Sequence, residues 1–212
     1  DWREAIYGQE GFAALYQQMF GDAWARAASV EPFFPASLTQ PTLELPFLPG
    51  DLIKATLATE DRRFYEHFGI DVPGLFRALS VNARAGGVVQ GGSSISQQLA
   101  KNLFLWPEKS FIRKGEEALI TLMIECTWSK RRILEVYMNE IEWGTGIFGA
   151  EAAARHYFGI SANELSEHQA AMLASMVPSP QYYDRKGETE GLLRQTEVIL
   201  ERMNKVAIPP SR

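Results

Sequence analysis

An almost wholly apolar run, Ala118 to Trp128, constrains the fold of this chain more than any other feature. The charged sequence Arg113-Lys114-Gly115-Glu116-Glu117 stands directly before it. A helix that is apolar on nearly all sides is normally covered by other elements, so the run predicts a central buried helix. Charges at the mouth of such a helix are expected to line a cleft. An ion pair between Arg113 and Glu117 on an open surface is the alternative.

A glycine-rich loop leads into a second helix at Gly91-Gly92-Ser93-Ser94. Ser94 followed by Gln97 is typical of a capping box, so a helix is expected to begin there. Free N–H groups at the positive end of a helix dipole suit an anion such as a phosphate. A plain surface loop before a capped helix is the alternative. One helical face would carry a hydroxyl, an amide and an ammonium group, from Ser94, Gln97 or Gln98, and Lys101.

Glu60 occupies a position that the helical pattern reserves for an apolar side chain. Ile53, Leu57, Glu60 and Phe64 recur at helical spacing and would fall on one face. A carboxylate there is either paired for structural reasons or lines a cleft with a raised pKa, which suits proton transfer. Asp61 is turned about 100° away around the helix and could cap, orient or repel Glu60.

Capping residues and glycines divide the body of the chain into short helices. No convincing alternating strand pattern occurs, so the fold class is expected to be mainly α. One helix is expected from the N-cap Asp51 to a C-terminal end at Gly69, and others over Val72 to Ala83, after the N-cap Ser129, and from Ala150 to a stop at Gly159. Two more are expected to begin at the capping boxes Ser161/Glu164 and Ser166/Gln169, and an amphipathic helix lies within 185–212. A glycine-rich turn is expected at Trp143 to Gly149.

The chain divides into three expected parts. Residues 1–45 contain an amphipathic helix followed by a proline-rich connector. The apolar stripe of that helix would pack on the main body or rest at a bilayer interface. Residues 46–185 form the main domain, and 186–212 add a C-terminal helix and tail to it.

Composition excludes several classes of protein. The chain has 212 residues, is 46% hydrophobic and carries a net charge of −5, which suits a sizeable core and argues against a nucleic-acid binder. A single cysteine, Cys126, excludes an internal disulfide and is expected to be buried. The three histidines lack metal-ligand spacing. No transmembrane stretch or signal peptide is visible, and the start at Asp1 suggests a processed form whose anchor is missing.

Five blocks of residues follow one another between positions 50 and 183. Together they resemble the peptidoglycan glycosyltransferase family, most of all its monofunctional biosynthetic members. Ser94 and Ser96 stand where the family pattern has threonine, and Met138 where it has leucine. The blocks are Glu60-Asp61 with Phe64, His67 and Gly69; Gly91 to Asn102; Arg113-Lys114 with Glu117; Lys130, Ile133, Leu134, Glu135, Tyr137 and Asn139; and Gly149, Ala152, Ala153, Tyr157, Phe158 and Gly159.

The resemblance implies a lysozyme-like helical domain that polymerises lipid II into β-1,4 glycan strands with inversion. Undecaprenyl pyrophosphate is released in each step. The resemblance further implies action at the periplasmic face of the bacterial inner membrane, divisome or elongation-complex partners, and inhibition by moenomycin-type phosphoglycolipids. Mg²⁺ or Mn²⁺ would bind carboxylate and phosphate oxygens.

The resemblance also assigns roles to individual residues. Glu60 would be the general base, and Glu117 would lie near the pyrophosphate or the divalent cation. Lys101 and Arg113 would stabilise the leaving group. The remaining substrate-binding candidates are Ser94, Gln97, Gln98, Lys114, Asp61 and Asn102.

Two other functions compete with this interpretation. A lysozyme-like hydrolase or lytic transglycosylase also needs a buried glutamate, but it needs no pyrophosphate site. A non-catalytic scaffold that binds lipid-linked glycans at the membrane needs neither Glu60 nor Glu117. The basic residues Lys101, Arg113 and Lys114 argue against the hydrolase, because it needs no pyrophosphate site. The presence of both Glu60 and Glu117 argues against the scaffold.

Overall fold

The computed structural model describes residues 48–87, 91–105 and 111–208, and the expected N-terminal helix and connector at 1–45 lie outside them. The described chain is mainly helical, as the sequence predicts, with one two-stranded hairpin. The elements are α1 (Gly50–Glu60), α2 (Val72–Ala85), α3 (Ile95–Phe104), α4 (Phe111–Thr127), α5 (Lys130–Glu140), β1 (Glu142–Gly144), β2 (Ile147–Phe148), α6 (Ala150–Phe158), a 3₁₀ turn (Ala162–Glu164), α7 (Glu167–Met176), α8 (Pro180–Lys186) and α9 (Glu190–Met203).

Helices α1, α7 and α9 pack against one another. Alanines line the contact, because small side chains allow helix axes to approach closely. Ser175 of α7 adds a polar contact of 3.3 Å to the hydroxyl of Thr196 in α9. The C-terminal helix therefore packs directly on the helix that ends at Glu60. The buried residues of this contact are Ala55, Ala58, Ala171, Ala174, Ile199 and Met203.

Helix α3 packs against α4 and α5 and supplies the other half of the core. Leu99 of α3, Ile120 and Ile124 of α4, and Ile133 of α5 are all 0% exposed. Tyr137 of α5 is among the largest fully buried side chains of the described residues. The packing fixes the start of α3 beside the end of α1, where the candidate site lies.

The capping predictions for α3, α5 and α7 are confirmed. Ser94 accepts from the backbone N–H of Gln97, whose side chain accepts from the N–H of Ser94. Ser129 accepts from the N–H of Arg132, and α7 begins with the expected box of Ser166. Each cap satisfies amides that a helix start leaves without a partner.

The predicted limits of α1 are wrong. Pro49 is the N-cap residue, and Asp51 lies inside the first turn, where it pairs with Lys54 at 3.2 Å. The helix ends at Glu60 rather than near Gly69. The backbone leaves the helical conformation at Asp61 (φ −158°, ψ 78°), whose side chain bonds to His67 and to the N–H of Ile95, and residues 62–69 form turns and bends. Gly69 lies beyond the helix with a positive φ of 79°, and a Cβ there would lie 2.7 Å from Thr121 Cγ2.

A short antiparallel hairpin, β1 with β2, occupies the predicted glycine-rich turn. Its strands are too short to produce a readable alternation in the sequence. Gly144 is required there, because a Cβ would lie 2.3 Å from the hydroxyl of Tyr157. Helix α8 attaches to the hairpin through Asp184, which accepts from the N–H of Thr145 at 3.1 Å.

Helix α4 is only half buried, which corrects the prediction of a central buried helix. Leu119 and Leu122 are 37% and 40% exposed. Cys126 is exposed as well, so the predicted buried thiol is wrong. Glu125, the only charged residue of the run, faces inward instead. An apolar surface face and a buried face have the same composition, so the sequence could not distinguish them.

A second apolar face lies on α2 and the turn before it. Only Ala78 of α2 is buried. No described helix is both long and apolar enough to cross a membrane. The exposed residues, which we call the apolar surface, are Phe68, Val72, Leu75, Phe76 and Leu79.

Candidate active site

Glu60 lies at the last position of α1 and faces α3. Its side chain is partly accessible, but protein surrounds the carboxylate, and this burial raises its pKa above the ordinary value of 4.5. Asp61 raises the pKa further, whereas a hydrogen bond from Gln98 and the charge of Lys101 lower it. A carboxylate with a raised pKa can take up a proton near neutral pH.

Gln98 connects Glu60 to the core. Its side-chain Nε2 donates to Glu60 Oε2 at 2.7 Å. Its Oε1 accepts from the hydroxyl of Tyr137 at 3.0 Å. The sequence left open whether Gln97 or Gln98 stands on the polar face of α3, and the contact shows that Gln98 faces Glu60.

Asp61 is buried and bonded to the protein. Both of its carboxylate oxygens lie 3.0 Å from His67 Nε2, and Oδ2 also accepts from the backbone N–H of Ile95 at 3.1 Å. Asp61 therefore fixes the first turn of α3 beside Glu60. Of the roles that the sequence left open, the contacts fit the one that orients the site.

Ser94 and Gln97 are also buried and bonded within the protein. The Ser94 hydroxyl donates to the backbone carbonyl of Gly69 and accepts from the N–H of Gln97. With Asp61 on the N–H of Ile95, two early amides of α3 already have protein acceptors. These amides are therefore not free for the phosphate that the glycine-rich loop suggested.

Glu117 lies in the second turn of α4 and is 2% exposed. Lys114 Nζ donates to its Oε1, and Arg113 Nη1 lies 3.8 Å from its Oε2. Lys114 Nζ also lies 3.5 Å from the hydroxyl of Ser93 in the glycine-rich loop. The charges before the apolar run thus lie beside this loop.

Lys101 links the two carboxylates electrostatically. Burial lowers its pKa, and the positive charges of Arg113 and Lys114 lower it further. Glu117 and Glu60 both act in the opposite direction. Within the described part of the chain, Lys101 has no hydrogen-bond or ion-pair partner, so it contributes a cation that a ligand can neutralise. Asn102 follows it at a half-buried position.

A buried ion pair behind the site joins Glu125, which no motif of the sequence singled out, to Lys130, the first residue of the fourth block. Glu125 accepts from Lys130 Nζ at 2.7 Å and from the hydroxyl of Ser96. Lys130 also lies 4.4 Å above the ring centre of Phe64. These contacts join α3, α4 and α5. Lys130 is the first residue of α5, where the helix dipole disfavours positive charge, and its pairing with Glu125 offsets that cost.

The described residues do not form a metal cage, since no group of three acidic, histidine or cysteine side chains among them could hold an ion. Glu117, the expected ligand, already contacts the cations of Lys114 and Arg113. A divalent ion at Glu117 would have to compete with both cations, so the described residues do not fit a dedicated metal site.

Comparison with known proteins identifies the family. A family model described as transglycosylase matches residues 33–204, most of the chain. The chain belongs to this transglycosylase family. The match confirms the resemblance drawn from the five blocks.

Several similar proteins are named biosynthetic peptidoglycan transglycosylase. The one from Dechloromonas aromatica is 57% identical over 158 residues, which are 74% of this chain and 68% of that protein. The one from Thiobacillus denitrificans is 53% identical over 162 residues, 76% of this chain and 70% of that protein. The one from Laribacter hongkongensis is 50% identical over 185 residues, 87% of this chain and 80% of that protein.

Because it belongs to this family, the protein is an enzyme, a glycosyltransferase of peptidoglycan strand synthesis. Its domain is mainly helical and lysozyme-like. The contacts above then separate two ends of its site. Glu60 stands at one end, desolvated and held by an amide. Glu117 stands at the other, among cations.

Proposed function

We propose that this transglycosylase extends glycan strands from lipid II, with Glu60 as the general base. The sugar 4-hydroxyl of lipid II attacks the anomeric carbon of the growing chain and gives its proton to Glu60. The bond from that carbon to the lipid pyrophosphate breaks, and undecaprenyl pyrophosphate leaves. The α linkage becomes β-1,4, so the step inverts the configuration.

Inversion requires the base and the leaving group to lie on opposite sides of the reacting carbon. The observation that carries the proposal is the separation of charge types around Lys101. Glu60 has a pKa raised by burial, whereas Lys101, Arg113 and Lys114 outnumber the single carboxylate of Glu117. A base at one end and net positive charge at the other suit proton removal and pyrophosphate departure.

The remaining candidates would act in two ways. Asp61, Ser94 and Gln97 are bonded inside the protein, so they would hold the glycine-rich loop and the start of α3 in place. Gln98 would orient Glu60. Asn102 is half-buried next to Lys101 and would contact a phosphate or sugar oxygen.

A requirement for Mg²⁺ or Mn²⁺ stays a prediction. The ion would arrive on the pyrophosphate, because Mg²⁺ commonly binds one or two carboxylates together with substrate phosphates. Polymerisation measured in EDTA and after return of each ion tests the requirement. Activity that is unchanged in EDTA would remove the metal from the proposal.

The apolar surface on α2 would rest on the membrane that holds the lipid substrate. Gly92 of the glycine-rich loop packs against this helix, since a Cβ there would lie 3.0 Å from Leu75 Cδ1. Arg77 and Arg84 are exposed on the same helix and would meet anionic headgroups. We place the enzyme at the periplasmic face of the bacterial inner membrane. Divisome or elongation-complex proteins would be its partners there.

Flotation with vesicles that contain anionic phospholipid tests this surface. Phe76→Asp is expected to reduce vesicle binding, because burying a carboxylate in the apolar interface is costly. Val198→Asp on α9 is the matched control, since Val198 is an exposed apolar residue outside the apolar surface. Equal binding by both variants and the wild type would remove α2 from the membrane contact.

Incubation with fluorescent lipid II, read on a gel, tests the reaction itself. A ladder of long glycan that disappears in Glu60→Gln supports the proposal. Glu66→Gln is the matched control, because Glu66 is an exposed glutamate that only pairs with Arg63. Shortening of preformed glycan without a ladder would support a hydrolase instead.

A further inference from the structure

We propose that Tyr137 is a positioning residue for the reaction, because its hydroxyl fixes the direction in which the side-chain amide of Gln98 faces Glu60. This inference rests on the proposed role of Glu60 as the base. It goes further because the Tyr137 hydroxyl bonds to Gln98 rather than to Glu60, and it acts on the base through that amide.

The relay joins three helices. The Tyr137 hydroxyl of α5 donates to Gln98 Oε1 of α3 at 3.0 Å, and Gln98 Nε2 donates to Glu60 Oε2 of α1 at 2.7 Å. Tyr137 is 0% exposed, so its hydroxyl has no access to bulk water. A buried hydroxyl of this kind is costly to leave without a partner.

The hydroxyl of Tyr137 stays protonated. Burial raises its pKa well above the ordinary value of a tyrosine, and the nearby carboxylates of Glu60 and Asp61 raise it further. The group is therefore always able to donate, and Gln98 Oε1 is the acceptor that it meets. A side-chain amide has its oxygen and its nitrogen on opposite arms, so the nitrogen is directed at Glu60.

The fixed direction favours the charged form of Glu60. A carboxylate accepts from the Gln98 nitrogen, and this bond lowers the Glu60 pKa against the effect of burial. A protonated Glu60 would instead donate to the Gln98 oxygen if the amide could turn over. Tyr137 opposes that turn, because the turned amide would leave the hydroxyl of Tyr137 facing an NH₂ group in place of its acceptor.

Removal of the hydroxyl releases the amide. In Tyr137→Phe, the turned amide can accept from protonated Glu60 without losing a bond to Tyr137. The protonated form of Glu60 is then stabilised relative to the carboxylate, so the Glu60 pKa is expected to rise. A base with a higher pKa is protonated over a wider range of acidic pH, and the acid limb of kcat/KM therefore moves to higher pH.

The test measures pH profiles of lipid II polymerisation for wild type and Tyr137→Phe. The variant is expected to shift its acid limb to higher pH and to lose about tenfold in kcat near neutral pH, about 1.4 kcal/mol. Tyr157→Phe is the matched control, because Tyr157 bonds the carbonyl of Trp143 and Asp184 and contacts neither Gln98 nor Glu60. The control is expected to keep the wild-type acid limb.

A second variant tests the path and guards against misfolding. Gln98→Met removes the amide while leaving Tyr137 in place, and it is also expected to shift the acid limb upward. Adding Tyr137→Phe to Gln98→Met is expected to cause little further shift, because Tyr137 acts through Gln98. Additive shifts would overturn the inference, since they would show that Tyr137 affects Glu60 by another route.

A direct titration separates this inference from the proposed function. The Glu60 carboxyl is followed by ¹³C NMR in labelled wild type and Tyr137→Phe, with Glu60→Gln used to assign the signal. A higher Glu60 pKa in the variant supports the inference, and an unchanged pKa overturns it whatever the activity. Retained polymerisation by Glu60→Gln would instead remove Glu60 as the base.

Discussion

The two glutamates of the site are of the same residue type but lie in opposite surroundings. Glu60 accepts a hydrogen bond from the neutral side-chain amide of Gln98 and lies next to the negative charge of Asp61. Glu117 is more deeply buried, but it lies between Arg113 and Lys114. A desolvated carboxylate without a cationic hydrogen-bond donor is suited to take up a proton. A carboxylate among cations is suited to hold those cations in place for an anion.

The largest expected effect comes from Glu60→Gln, which keeps the shape of the side chain and removes the base. Polymerisation is expected to fall by about 10²–10⁴-fold, the usual contribution of general acid–base catalysis. Steady-state rates on fluorescent lipid II measure it. Near-wild-type rates would show that the proton leaves by another route.

The same variant has a stability signature. Because folding raises the Glu60 pKa, the folded state binds more protons than the unfolded state between the ordinary and the raised pKa. Stability that involves this group is present at low pH and is lost as pH rises through that window. Glu60→Gln lacks the titrating group and therefore does not undergo this loss of stability. Urea titrations should show that the free energy of unfolding of the variant rises relative to that of wild type from acidic to neutral pH.

A smaller loss, at least about tenfold, is expected for Glu117→Gln and for Lys101→Ala, because removing an electrostatic stabiliser commonly costs more than about 1.4 kcal/mol. Glu151→Gln is the matched control for Glu117, since Glu151 is a buried glutamate that pairs with Arg155 four residues along α6. The control should lower the melting temperature without lowering the rate per folded enzyme. Wild-type rates in both test variants would contradict a pyrophosphate site at this end.

The smallest effect is expected for Lys114→Ala. The Lys114 side chain is 51% exposed although its partner Glu117 is buried, so solvent screens the effect of its charge on a bound anion, and exposed charges contribute about 0.2–1 kcal/mol. We expect a rate loss of at most roughly fivefold, which weakens with added salt. A loss as large as that of Lys101→Ala would show that the ammonium of Lys114 contacts the substrate directly.

The sequence predicted those parts of the fold that short-range chemistry decides. Ser94 and Gln97 form the expected capping box because both partners lie within one helical turn. The N-cap of α1 was predicted wrongly, because Pro49 takes that position two residues before Asp51. The prediction that Cys126 is buried was also wrong, since an apolar run does not reveal which of its faces another helix covers.

The site required long-range contacts that spacing does not contain. Glu60 stood out because it interrupts an apolar stripe, and the five blocks supplied its partners by resemblance. Residue spacing alone did not indicate that Gln98 rather than Gln97 faces Glu60. The Tyr137 hydroxyl lies 39 positions away from Gln98 along the chain. The sequence placed Asp61 next to the base without deciding its role. Its contacts with His67 and with the N–H of Ile95 show that it holds the start of α3 in place.

The most direct test of the two-ended site is lipid II binding measured beside turnover in Glu60→Gln and Glu117→Gln. We expect Glu60→Gln to bind lipid II with nearly wild-type affinity and to polymerise it about 10²–10⁴-fold more slowly, because only the proton acceptor is lost. Glu117→Gln should bind more weakly and retain some turnover. Loss of binding in Glu60→Gln, or polymer formation by it at a near-wild-type rate, would contradict the assignment of the base to the desolvated end.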